Sequence, residues 1–322
     1  MVMLIRIDEA GNFDFRDSER FRVAGIASVI VPDRSRSAVE TFVAEKQVQR
    51  NMEDELKAHG MDQEQLIEMV AFMEQENLAI VGVVTDSEIF DIAAQRRWRT
   101  KQVALFEEAA ARSRRAVEGA EIRARVERFR RRLPKERLIK PPNFLQYFVL
   151  MPWLLSRSFS AANFRFRDLV PTEDSWAFDI AVDPREGADP GKSGQLLRDS
   201  IDAIYAGNDS TALFIPPEWP HDHPFLVRNA DTEVGVVSPR QLLADGIKTP
   251  DSRSDNGVQL ADVAAHVIHS AVRRQDNEAT GAWRKLRPLM VVTDEGWPLK
   301  VWGANDETAS ATAEGRYRAL LG

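Results

Sequence analysis

The chain contains no cysteine. That excludes a disulfide framework, a thiol nucleophile, and zinc or iron–sulfur centres held by thiolates, and it favours a reducing compartment. Long apolar runs are missing as well. No stretch approaches the roughly 20 apolar residues that span a bilayer, and the opening Met1–Asp8 is apolar for too short a run to be a secretion signal. A cytoplasmic protein without membrane segments is the expectation. There is no Gly-x-Ser-x-Gly nucleophile motif. Gly187 to Gly194 does not place Gly-Lys-Ser/Thr after a fourth intervening residue, as a phosphate-cradling loop would. With a formal net charge of -7, the protein has no generally basic surface for nucleic acid.

What is present is enough material for a large core. The 322 residues are 43% hydrophobic, which suits one large α/β domain with an insertion or two modest domains. Val2 to Ile7 is apolar on both faces and reads as a strand buried mid-sheet. Further strands are expected at Phe21–Val31, Ala79–Thr85, Trp176–Val182 and Ala212–Ile215. Helices are expected at Ser37–Met52, Gln63–Glu76, Glu88 to about Arg132, and Asp255–Arg273, the last capped by Asp255 or Asn256. Strands separated by helices imply a mixed or parallel sheet flanked by helices. The expected division is a discontinuous α/β domain (1–87 and 171–275), a helical insertion (88–170), and a C-terminal extension (276–322).

Several of these strands stop at carboxylates: Asp8-Glu9, Asp86 and Asp183. Ligands in open α/β sheets gather at the carboxyl ends of strands, so such residues can converge from distant parts of the sequence. Acidic residues also cap turns and helices where strands end, and for any one of them that is the simpler account. The Asn256–His269 helix tilts the balance. It is mostly small and apolar, yet Asp255, Gln259, Asp262, His266 and His269 recur at spacings of three or four on one face. A carboxylate on such a helix is costly unless paired, hydrogen-bonded or bound to a metal. Convergent carboxylates suit Mg²⁺ or Mn²⁺, which prefer oxygen donors. His266, one turn beyond Asp262, could move a proton beside such a site; a buried histidine hydrogen-bonded to the backbone or to Asp262 is the plainer alternative.

At these residues the sequence resembles a known family. Asp8-Glu9-Ala10-Gly11 is similar to the Asp-Glu-Ser-Gly opening of the domain-of-unknown-function 3800 family, with alanine where serine is usual. Glu55-Leu56-Lys57-Ala58 resembles its Glu-apolar-Lys/His-small element. Asp183 matches a later strand-ending Asp, and Gln259-Leu260-Ala261-Asp262 its Gln-Leu-Ala-Asp helix. The resemblance spans about residues 3 to 272. It implies a ribonuclease-H-like fold and a metal-dependent nuclease, with Asp8, Glu55, Asp183 and Asp262 as ligands of Mg²⁺ or Mn²⁺. Glu9, Lys57 and Gln259 would stand just outside them. Whether Asp86 takes the place of Asp183 stays open.

A local excess of positive charge is the remaining feature. Between Arg112 and Lys140 there are twelve Arg/Lys and four Glu. Arg125, Arg128 and Arg132 lie in a helical pattern that could follow phosphates and gain affinity by counterion release; a solvated helix is the plainer alternative. His221-Asp222-His223 lies among prolines without a further ligand at zinc spacing and reads as a polar loop. The functional expectation is hydrolysis of DNA or RNA phosphodiesters. The rivals are a non-catalytic nucleic-acid-binding or regulatory protein, and a hydrolase of a small phosphorylated substrate.

Overall fold

The computed structural model describes residues 2–11, 22–50, 55–89, 150–166, 177–183, 230–231, 236–237, 247–250, 252–274, 280–291 and 299–301, together with isolated positions such as Phe13, Gln146 and Tyr317. Four strands and three helices come first in the chain: β1 (Val2–Gly11), β2 (Val23–Pro32), α1 (Arg36–Gln49), α2 (Gln63–Gln75), β3 (Ala79–Asp86), α3 (Met151–Arg165) and β4 (Ala177–Val182). A small separate hairpin pairs β5 (Ala230–Asp231) with β6 (Val236–Val237). Then follow β7 (Ile247–Lys248), α4 (Asn256–Arg274), α5 (Thr280–Leu286) and β8 (Lys300–Val301).

Six strands form one mixed sheet in the order β7-β4-β1-β2-β3-β8. β1, β2 and β3 make an antiparallel meander, and β4 adds to the free side of β1 in parallel. β7 and β8 extend the two edges, also in parallel. All residues of β2 and β3 are buried, the result of strands rich in Val, Ile and Ala that are covered on both faces. α2 starts at a capping box: Asp62 accepts the Gln65 N–H, and the Gln65 side chain accepts the Asp62 N–H.

The period-two alternation of the strands sorts their side chains between two layers. Leu4, Arg6 and Asp8 share one face of β1, with Met3, Ile5 and Ile7 on the other. α4 lies across the first face, on β1 and β2, and is covered in turn by α1, α2 and α5. Sandwiched in this way, it is apolar nearly all round: Val258, Leu260, Ala261, Val263, Ala264, Val267 and Ile268 are all buried. A fully buried Val, Leu or Ile contributes about 1.5–3 kcal/mol, so the helix can carry a few costly polar groups and still be held in place.

The second face is covered by α3, which packs against β2 and β3. Ser158 and Ser28 hydroxyls meet at 2.6 Å across that interface, and Phe159 stands edge-on to Phe178 of β4. Residues 151–165, which the sequence reading places in the insertion, thus pack directly on the sheet. Pro152 occupies the first turn of α3, where its missing N–H costs nothing. The expected extension 276–322 likewise supplies parts of the main body: α5 packs on α2, β8 pairs with β3, and Met290 bridges to Ile80. β1 also runs on past Ile7. Its ladder with β2 continues to Gly11, whereas its ladder with β4 stops at Ile7 and Val182. The strand expected at 212–215 and most of the helix expected at 88–132 lie outside the described residues.

Candidate functional site

Asp8 is the first residue of β1 beyond the parallel ladder with β4. It stays paired with Ala27 of β2 on one side. On the other side, the last link is the Asp183 N–H donating to the Ile7 carbonyl at 2.9 Å. Asp183 therefore leaves β4 right beside Asp8. Asp262 approaches from α4, above the same face of the sheet. A fourth contribution comes from the segment between α1 and α2. There, Leu56 N–H donates to Gln259 Oε1 (3.0 Å) and Ala58 N–H donates to Asp262 Oδ2 (2.8 Å). Those two bonds fix Glu55 and Lys57 against α4. The Lys57 ammonium meets Glu55 Oε1 at 2.7 Å.

The electrostatics tie these residues into one cluster. Burial first, then the charges of Asp262, Asp183 and Glu9, hold the Asp8 carboxyl well above its ordinary range, against the opposing hydrogen bond from the Glu9 N–H. Burial likewise raises Asp262, and Glu55 pushes the same way. The Ala58 N–H, Lys57 and His266 partly offset that rise. Burial alone would lower Lys57, but its bond to Glu55 and the charges of Glu55, Asp183 and Asp262 win, so its ammonium is held above the usual value. Asp8, Glu55, Asp183 and Asp262, the four residues singled out from the sequence, thus gather at one place with Lys57 as their near cation.

The residues expected just outside the cluster have distinct tasks. Gln259 is fully buried, and besides Leu56 it accepts from the Gln47 side chain (3.1 Å) and donates to the Ser252 carbonyl (3.1 Å). It is a tie that positions the 55–58 segment. Glu9 lines the neighbouring cleft. His266 sits over Asp262 and approaches the Ser270 hydroxyl with Nε2 at 3.4 Å. Asp86 belongs elsewhere: it is fully buried, accepts the Glu88 and Ile89 N–H groups at 2.8 and 3.0 Å, and takes the Tyr317 hydroxyl. Its carboxylate holds the turn after β3, so Asp183 is the one that joins Asp8. Arg125, Arg128 and Arg132 lie outside the described residues.

A cleft of about 930 Å³ opens beside the cluster, bordered by Glu9, Asp262, His59, His266, His269 and Arg273. His269 closes its floor. Burial, with the charges of Arg273 and His266, lowers the His269 imidazole to about 4, although its bond to the Val23 backbone acts the other way; it is neutral at pH 7. Its ring lies where a side chain on Gly11 would be. A Cβ there would come 2.7 Å from the ring and 2.3 Å from the Val23 carbonyl, and the φ of 92° is one that favours glycine. His59 and Arg273 escaped the sequence reading. The only signal for Arg273 was its place on the same helical face, eleven residues beyond Asp262.

The donor set is all oxygen and concentrated in carboxylates, the chemistry of a hard divalent cation. Among the described residues, no group of three or more His, Asp or Glu side chains is placed so that it could hold a metal ion. No protein-family model, curated protein or solved structure matches the chain. Among the described residues, no helix is long and apolar enough to cross a membrane.

Proposed function

We propose that this protein is a Mg²⁺- or Mn²⁺-dependent nuclease built on a ribonuclease-H-like sheet, cleaving phosphodiesters at the Asp8–Asp183–Asp262 cluster. One observation carries the reading. Three carboxylates, from β1, the end of β4 and α4, converge at the carboxyl ends of parallel strands, and the charges of Asp183 and Asp262 both raise the pKa of the buried Asp8. Carboxylates that act on one another in this way suit groups that share a cation. The β1–β2–β3 meander extended by parallel β4 is compatible with the fold that the sequence resemblance implies.

Asp8, Asp183 and Asp262 would hold the ion, with Glu55 at its margin. A divalent ion in such a setting lowers the pKa of bound water and offsets charge on the phosphoryl oxygens. Lys57, near Glu55 and the aspartates, neutralises part of the cluster and can meet a phosphate oxygen. His266, one helical turn from Asp262, is placed to exchange a proton at the edge of the site. Gln259 and the Ala58 N–H keep Glu55, Lys57 and Asp262 in register.

The test is cleavage of labelled single- and double-stranded DNA and RNA with Mg²⁺, with Mn²⁺, and with a chelator. Metal-dependent cleavage that disappears in Asp8→Asn and Asp262→Asn upholds the proposal. Cleavage indifferent to the chelator, or none at all, overturns it. Binding without cleavage would instead favour a non-catalytic nucleic-acid-binding role, to which the lack of a ready-made cage among the described residues lends some weight.

A further inference from the structure

The cleft beside the carboxylates is much larger than one phosphate needs, and its long wall is a single face of α4. From Asp262 that face runs through His266, His269 and Ser270 to Arg273. Eleven residues at a rise of about 1.5 Å each separate the first from the last by roughly 16 Å. The lining also includes His59, Met61, Asp62, Gln63 and Leu66 from the segment before α2 and its first turns. The two ends of the groove differ in sign. At one end lie Asp262 and Glu9; at the other lies Arg273, exposed on the last turn of α4. Among the described residues no carboxylate forms an ion pair with Arg273.

Resting on the nuclease reading, we infer that this groove receives the strand flanking the scissile phosphodiester, with Arg273 taking a phosphate at the end away from the carboxylates. The substrate class is therefore a polynucleotide. A mononucleotide or other small phosphoester would fill only the Asp262 end and would leave a cation some 16 Å away unused. Guanidinium groups are suited to that task, since their planar fork matches phosphate oxygens. The lining holds three imidazoles, His59, His266 and His269, and no Phe, Tyr or Trp, so base stacking is limited to what a histidine ring can give. Contact runs through the sugar–phosphate backbone, and discrimination between base sequences is weak.

The experiment compares wild type, Arg273→Gln and Arg273→Lys on two substrates: a labelled oligonucleotide and bis(p-nitrophenyl) phosphate, a diester too short to reach Arg273. Oligonucleotide affinity is measured over a range of salt concentrations, and thermal melting confirms that the variants are folded. Arg273→Gln should lower kcat/KM for the oligonucleotide, mainly through KM, by roughly tenfold more than for the small diester, the worth of one charge-assisted contact. The log–log salt slope should fall by about 0.7 for a single strand or about 0.9 for a duplex. Arg273→Lys should recover part of both. Equal losses on the two substrates with an unchanged slope would overturn the groove assignment alone. If wild type cleaves neither substrate with Mg²⁺ or Mn²⁺, the nuclease reading fails and the groove assignment fails with it.

Discussion

Arg6 and Asp8 stand two residues apart on β1, on the same face, under the same helix, and they meet opposite surroundings. Arg6 is saturated. Its guanidinium donates to Asp255 Oδ1 (3.0 Å), to the Asp179 carbonyl (2.6 Å) and to Asp179 Oδ2 (3.1 Å). Lys248 adds a second cation to Asp179 at 2.6 Å. Burial would raise Asp179, but Lys248 and Arg6 together take its carboxyl below the ordinary range. Even Gly257 serves this arrangement, since a Cβ there would lie 2.7 Å from Arg6 Cγ. Asp8 has the reverse: three acidic neighbours act on it, and Lys57 serves the cluster from its edge. Charge placed in a core to hold a fold is matched by its neighbours. Charge left unmatched in a comparable position is what a site with work to do looks like.

The first way to break this comparison is to take the cation from the saturated end. Arg6→Leu leaves the largely buried Asp255 without its cation and Asp179 with Lys248 but without Arg6, and should destabilise the fold by about 3–5 kcal/mol in denaturant titration. A loss below about 1 kcal/mol would mean that the network is no more than a surface ion pair.

The second acts at the other end and should do the opposite to stability. Asp8→Asn should cut metal-dependent cleavage by at least about 100-fold, which is about 2.7 kcal/mol in the barrier. At pH 7 it should also raise the melting temperature. The sign follows from linkage: the Asp8 pKa is raised in the folded state, so its charged form opposes folding above that pKa, and Asn removes the opposition. A variant both inactive and destabilised would reassign Asp8 to structure.

The third sharpens the difference by adding what the acidic end lacks. Mg²⁺ or Mn²⁺ at 100 times its dissociation constant should stabilise wild type by about 2.7 kcal/mol, read as a rise in melting temperature. Asp8→Asn and Asp262→Asn should lose that response while Arg6 variants keep it. Equal responses in all of them would place the ion elsewhere.

The smallest expected effect concerns His269, which shares α4 with both ends. Its folded pKa of about 4 lies below the ordinary histidine value of 6.5. Between those values the unfolded chain binds more protons, so the part of the stability that rests on a neutral His269 is complete above pH 6.5 and is lost as pH falls towards 4. Asp8 changes in the opposite direction as its carboxyl takes up a proton. The difference between wild type and His269→Asn isolates the histidine. If that difference is flat from pH 7 to pH 4, the imidazole is not held neutral by its surroundings.

The acidic end was the legible one. A strand that stops being apolar at Asp8 and an apolar helix that carries Asp262 are local anomalies, visible in a few residues each, and the structure brings the two together. Arg6 was not legible: within a run called apolar on both faces, one arginine attracted no attention, and its partners lie 173 and 249 positions away. α3 was obscured by its own proline, whose meaning depends on whether it falls in the first turn or later. Asp86 and Asp183 looked alike in sequence, each an acid at a strand end. They were separated only by what surrounds them: two backbone N–H groups and a tyrosine hydroxyl for one, a second carboxylate for the other.

The distance in sequence between β1 and α4 has a consequence for how the molecule is made. Made at 5–20 residues per second, Asp262 follows Asp8 by roughly 13–50 s. Until the end of that interval the β1–β2–β3 meander lacks α4 on its first face, and Arg6 and Asp8 lack the partners that come with that helix. Contacts this far apart also close slowly once the chain is complete, because the loop entropy comes before the reward. The docking of α4 is therefore expected to come late, and it completes the saturated end and the acidic end together. Refolding followed by melting of the β1–β2–β3 signal and by metal uptake should show the sheet core forming first, with metal affinity appearing only when α4 docks.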